Sequence, residues 1–187
     1  MSWQRFFIAL LVIVCAGAGH YLFEKHWQSE VQVAIDIEKP IFVGDNIINK
    51  GYSAQGLLNY QVESKKLSYF AEHGNTEFEQ PTLLVFRNGD QAEWRLTAKH
   101  ATLTKEQMLI LVDDVKLYNL LPNNAFEKME TDYLVLDLIS KDFNTDQPTQ
   151  IQGPGFHSRG NKMQGNLEQH VAELQDEVQG RYESFIR

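Results

Sequence analysis

Apolar residues are arranged in two ways along this chain. From Phe6 to Phe23 they are contiguous and uncharged, FFIALLVIVCAGAGHYLF, whereas after Glu24 they mostly alternate with polar residues. Eighteen helical residues cover roughly 27 Å, close to the roughly 30 Å hydrocarbon thickness of a bilayer, so the first pattern predicts a transmembrane helix. The second predicts strands. Val31, Val33, Ile35 and Ile37 recur at every second position, as do Leu58/Tyr60/Val62, Leu67/Tyr69, Trp94/Leu96/Ala98, Ala101/Leu103, Val115/Leu117, Leu134/Leu136/Leu138 and Ala172/Leu174. Gly, Asn, Asp and Pro clusters separate them. No convincing 3.6-residue stripe follows the anchor, and Leu167 to Val178, flanked by Gly165 and Gly180, is read as strand.

The expected organisation is a cytoplasmic start and anchor (1–23), a linker (24–30) and one exported domain (31–187). Arg5 precedes the apolar run while Glu24 and Lys25 cancel after it, so the positive-inside rule puts the amino terminus in the cytoplasm. A cleaved signal peptide is the rival, because Ala16, Gly17 and Ala18 resemble a small-residue cleavage site. The single cysteine, Cys15, lies inside the run, with bulky Ile13 and Val14 before it, unlike a lipidation site. No thiol remains for a disulfide in the exported part, whose stability must come from packing.

Weak self-similarity runs through the strands. Ser64, Leu67 and Tyr69 are echoed by Ala98, Ala101 and Leu103 and by Thr131, Leu134 and Leu136, with Pro81, Val115 and Pro148 at matching offsets. One such unit cannot bury its apolar face alone, so successive units are expected to stack into an elongated pair of sheets. A stack that does not close leaves unpaired edges, which invite strand addition by another chain.

Charge narrows the function. The 25 acidic residues and 16 of the 17 basic ones follow the anchor, 25 against 16, a net charge of −9 that disfavours nucleic acid. No catalytic constellation is legible: no P-loop, no local triad pattern, and His73, His100, His157 and His170 without metal-ligand spacing, each read as solvated surface. Asp113/Asp114 and Glu127/Glu130 are read as acidic turns before any loose metal site. Gly153, Pro154, Gly155 and Gly160 punctuate turns, with no following helix to receive an anion. Tyr60, Tyr69, Phe78, Phe86, Trp94, Tyr118, Phe156 and Tyr182 are either ordinary strand packing or the lining of an apolar groove. Such a groove could shield acyl chains at about 0.8 kcal/mol per methylene.

The run WRLTAKHATLTKEQML from Trp94 to Leu109, the segment Glu130 to Leu134, the Gly153 to Phe156 turn and KMQGNL from Lys162 to Leu167 resemble the lipopolysaccharide-export LptC family over essentially the whole chain. The resemblance implies a non-enzymatic, single-pass inner-membrane protein without cofactors. Its periplasmic domain would be all-β, an elongated, twisted, open β-jelly roll. It would receive lipopolysaccharide from the inner-membrane ABC transporter complex and pass it to the soluble bridge protein LptA. Position by position, it implies lipopolysaccharide contacts at Ile47, Phe78, Ala172 and Tyr182. Gly56 falls on the transporter side, and Leu167, Ala172, Leu174, Val178 and Tyr182 on the LptA side. Gly56 and Gly153 are equally readable as turn glycines. Two other classes stay open: a structural bridge with a solidly packed interior, and an anchored hydrolase that would depend on His100 and His157.

Overall fold

Alternation alone does not say how strands stack; their pairing does. The computed structural model describes residues 38–122 and 126–182, with Trp3 and His20. The chain divides into two units, Met1–Ile37 and Glu38–Arg187, and every described strand belongs to the second. The expected anchor, linker and first strand at Val31 to Ile37 lie outside the described residues, Trp3 and His20 apart. Among the described residues no helix is long and apolar enough to cross a membrane.

Fourteen strands form one antiparallel sheet: β1 (Phe42–Tyr52), β2 (Leu58–Phe70), β3 (Asn75–Glu79), β4 (Thr82–Arg87), β5 (Gln91–Thr97), β6 (His100–Leu103), β7 (Met108–Asn119), β8 (Lys128–Asp137), β9 (Asp142–Thr145), β10 (Thr149–Gly153), β11 (Phe156–Gly160), β12 (Lys162–Asn166), β13 (Val171–Gln175) and β14 (Gln179–Tyr182). The all-β expectation holds.

The long strands explain the architecture. β2 pairs with β4 through Tyr60 to Glu63 and with β3 through Lys66 to Phe70. β7 pairs with β6 and then β5, and β8 with β10 and then β9. Each long strand therefore crosses from one arm of the sheet to the other. The short strands do the same in pairs, β3 with β4, β5 with β6, β9 with β10, β11 with β12 and β13 with β14, so the chain makes nine traverses stacked in sequence order. At about 4.8 Å per spacing the stack is roughly 38 Å long, against about 17 Å for a five-residue arm.

A crease runs where the traverses bend. In β7 it is a bulge, with the register slipping at Asp113 and Asp114, both at positive φ (64° and 53°). In the β3–β4 and β9–β10 traverses it falls at Pro81 and Pro148, where a residue without an N–H suits a break in pairing. Backbone bonds knit it: Gln80 N–H to Lys99 O at 2.7 Å and Lys99 N–H to Asp113 O at 2.9 Å. The sequence period corresponds to two traverses. Its echoed residues Leu67, Ala101 and Leu134 join Phe78 and Leu111 in one buried cross-strand row, Leu67–Phe78–Ala101–Leu111–Leu134. Val62, Leu83, Leu96, Leu117 and Met129 form the corresponding row of the other arm. Burying each such side chain favours the fold by about 1.5–3 kcal/mol.

One expected strand is corrected. Leu167 to Val178 is a tight turn through His170, then β13, then a bend with Asp176 and Glu177 at positive φ. Asn166 Oδ1 accepts from the N–H groups of Glu168 and Gln169, which favours a turn over an extended backbone there.

Candidate functional site: the open mouth of the folded sheet

Opposite the crease, the tips of the two arms meet around a cleft of about 890 Å³. The β1–β2 and β4–β5 turns form one lip; Gln107, Leu138 to Lys141 and Leu167 to His170 belong to the other. A smaller pocket of about 120 Å³ lies beyond it, lined by Leu117, Phe126, Phe143, Val171 and Ala172 among others. Trp94, Leu167 and His170 border both cavities.

Polar side chains bridge the lips. Asn59 Nδ2 donates to Leu138 O at 3.1 Å, Tyr60 Oη to Gln107 Oε1 at 3.2 Å, and Trp94 Nε1 to Leu167 O at 3.1 Å. These contacts join residues 47 to 79 positions apart, from opposite ends of the traverses, so the sheet must be folded over on itself. Glu93 pairs with Arg87 on its own lip, and across the mouth His170 Nε2 lies 2.9 Å from Glu93 Oε1 and 2.6 Å from Arg87 Nη2. His170 also stacks near Trp94, with centroids 5.6 Å apart.

The bridge depends on a local irregularity. Strict alternation would aim Trp94 inward and Glu93 outward. The register of β4 on β5 slips between Val85 and Phe86, so one extra residue is accommodated at Glu93 and both side chains turn inward. The Glu93 side chain is consequently only 6% exposed. Lys141, also at the mouth, donates from Nζ to Leu138 O at 2.8 Å, and burial pushes its pKa down to about 8.

Glycines permit close approaches nearby. A Cβ on Gly165 would lie 2.2 Å from Val171 O and 2.6 Å from the Phe143 ring, so this glycine of the KMQGNL segment lets Phe143 cross β12 toward Ala172. Gly51 similarly accommodates the Tyr60 ring, holding its hydroxyl toward Gln107.

The residues expected to contact lipid do not share one pocket. Ile47 is on β1 beside Ser64 and packs on the core; Phe78, 2% exposed, is in the central row of β3. Ala172 lines the small pocket from β13, and Tyr182, 79% exposed, ends β14 against Phe156. They run from the first traverse to the ninth. Leu174 packs on the core and Val178 is exposed in the bend before β14, whereas Leu167, 2% exposed, is an interior residue. Gly56 occupies the β1–β2 turn at φ 79° with open space around it, so conformation alone calls for glycine there. Gly153 ends β10, and the positive-φ glycine of that hairpin is its neighbour Gly155.

Of the histidines, His100 and His157 are exposed on β6 and β11, and His170, also exposed, lies at the mouth with Nε2 2.9 Å from Glu93. Asp114 pairs with Lys116 at 2.8 Å and Glu130 with Lys128 at 2.7 Å. Among the described residues, Glu38, Glu72 and His73 bring ligand atoms within 4.8 Å of one another. There the His73 hydrogen bond lowers the Glu38 pKa and, reciprocally, raises that of His73. Of the missed site residues, Gln107 lies inside the run from Trp94 to Leu109 without standing out in it, and Arg87, Glu93 and Lys141 had no motif to mark them.

Known proteins resemble the whole chain. It is 28% identical over 181 residues to the lipopolysaccharide export system protein LptC of Escherichia coli K12, covering 97% of this chain and 93% of that protein. The Haemophilus influenzae protein of the same name is 27% identical over 190 residues, covering 92% and 91%. The fold is similar to the crystal structure of LptH, the LptA-homologous periplasmic component of the lipopolysaccharide transport device of Pseudomonas aeruginosa, with a TM-score of 0.54 at 8% identity over 67% of this chain and 95% of LptH. The lipopolysaccharide-assembly, LptC-related family matches residues 8–183, and this chain belongs to it.

Proposed function

We propose that this protein is a non-enzymatic lipopolysaccharide transport component, taking the lipid from the inner-membrane ABC transporter complex and handing it through its apolar interior to LptA. The observation that carries the reading is the folded sheet itself: two facing rows of apolar side chains run from β2 to β8, and a cleft of about 890 Å³ opens at the mouth between the arms. Acyl chains laid between them would be withdrawn from water at about 0.8 kcal/mol per methylene. Contacts through chains also suit a chain with a net charge of −8 handling an anionic lipid.

In this reading Phe6 to Phe23 is the inner-membrane anchor, the amino terminus is cytoplasmic and the β domain is periplasmic. Ile47, Phe78, Ala172 and Tyr182 contact the lipid in succession. Gly56 lies toward the transporter, and the edge containing Ala172, Leu174, Val178 and Tyr182 receives LptA by strand addition. β13 and β14 each pair on one side only among the described residues, which supports the last point.

A second reading, a structural bridge that handles no lipid, is favoured by one observation: Leu109, Leu111, Leu134 and Leu136 are fully buried against their own neighbours. Photocrosslinkers at Phe78 and Tyr182, in membranes with the working transporter, decide between the two. Lipid adducts at both positions are expected for relay; adducts to protein alone would establish the bridge and end the relay reading.

A further inference from the structure

Of the two cavities along the mouth, only one has room for an acyl chain. With a water's share of liquid volume about 30 Å³, the pocket at Ala172 holds the equivalent of about four waters, and the cleft about thirty. Trp94, Leu167 and His170 separate them, and these residues are held by the bonds that cross the mouth.

We infer that Glu93, Trp94 and Arg87 on one lip, with Leu167 and His170 on the other, form a latch that must open before acyl chains move from the large cleft to the Ala172 pocket. The inference rests on the lipid-relay reading and adds the residues that regulate passage. Three features support a device made to open. The latch consists of side-chain contacts, whereas the opposite side of the stack is continuous backbone. Its carboxylate is buried through a register slip in β5, a placement that alternation would have avoided. Glu93 is buried, while its partners Arg87 and His170 keep 42% and 31% of their side chains exposed, so water can replace them without a buried charge being created on their side.

The geometry also says what opening involves. Breaking the Trp94–Leu167 bond and parting His170 from Glu93 releases the β12–β13 turn from the opposite lip, while Leu167 N–H stays bonded to Lys141 O at 3.0 Å on its own lip. Moving Trp94 would merge the two cavities, since its ring borders both. The groups facing this cluster include Arg87, Glu93, Lys141 and Glu168, so the passage is rimmed by both signs of charge.

The test uses the full chain with the transporter and lipopolysaccharide, with Cys15→Ser removing the only native thiol. Glu93→Cys and His170→Cys are joined by a short bis-methanethiosulfonate crosslinker, which forms a disulfide at each cysteine with loss of sulfinate and is cleaved by reductant, and photocrosslinkers at Leu58 and Ala172 report the cleft and the small pocket. The expected result is that tethering preserves lipid adducts at Leu58, cuts those at Ala172 at least tenfold, and is reversed by cleavage. Undiminished Ala172 adducts in the tethered protein would overturn the latch while leaving lipid relay standing. Absence of lipid adducts everywhere in the untethered protein would overturn both. Trp94→Phe keeps a ring but lacks the donor, and is expected to raise the rate of Ala172 labelling severalfold while the domain, though somewhat less stable, still unfolds in one cooperative transition. An unchanged labelling rate would count against the indole bond as part of the latch.

Discussion

The crease and the mouth are the two long sides of one folded sheet, and they are closed by different chemistry. At the crease the chain itself crosses between arms nine times, next to rows of leucine and valine. At the mouth the arms meet through side chains: Asn59 with Leu138, Tyr60 with Gln107, Trp94 with Leu167, and Glu93 with His170. A typical side-chain hydrogen bond contributes only about 0.5–1.5 kcal/mol net, because water competes for both partners. One side is therefore held by the chain itself and the other only by bonds of that size, and the proposed latch rests on that difference.

The contrast is most sharply tested by damaging the crease side. Leu134→Ala removes a fully buried side chain from the central row and should cost about 2–5 kcal/mol, read as a lower urea midpoint of one cooperative transition. A loss below about 1 kcal/mol would mean that the interior is loosely filled and that the two sides differ less than described. Gly165→Ala comes next. Its Cβ would overlap Val171 O and Phe143, an overpacking cost of about 1–3 kcal/mol, and hydrogen exchange should show faster opening of β12 and β13 than of β7. Uniform acceleration across the sheet would show that the carboxyl-terminal traverses are not separable from the core.

The smallest effect concerns pH. Burial lowers the Lys141 pKa from 10.5 to about 8, so between those values the unfolded chain holds a proton that the folded one has released. Stability attributable to this residue rises as pH increases from about 8 toward 10.5, by less than the ~1.4 kcal/mol per pH unit of one full proton. Lys141→Met should flatten that part of the profile. An unaltered slope would place the Lys141 ammonium in solvent.

Which strands were legible follows from how many faces they bury. β2, β7 and β8 alternate visibly because each lies between neighbours and sends several residues into the interior. β14, with all four residues exposed, is held by its pairing with β11 and leaves no apolar period to read. β9 buries only Phe143 and Thr145, too few positions to declare a pattern. β1 has its apolar residues in adjacent pairs, Phe42 with Val43 and Ile47 with Ile48, rather than alternating, and is organised by its long pairing with β2. The family was legible from runs such as KMQGNL, and the structure supplies a reason for one member of that run: Gly165 is small because Phe143 passes over it.

By itself the sequence determined that the domain is built of strands, that its stability comes from packing without disulfides, and that a unit of about 33 residues recurs. These follow from local period and composition, which need no knowledge of neighbours. Only the tertiary structure decided that two traverses make one period, that the sheet folds along a crease through Pro81 and Pro148, and that Glu93 points inward to meet His170. Those depend on register and on residues 77 positions apart, and a one-residue slip between β4 and β5, invisible in the alternation of either strand, is enough to redirect a charge.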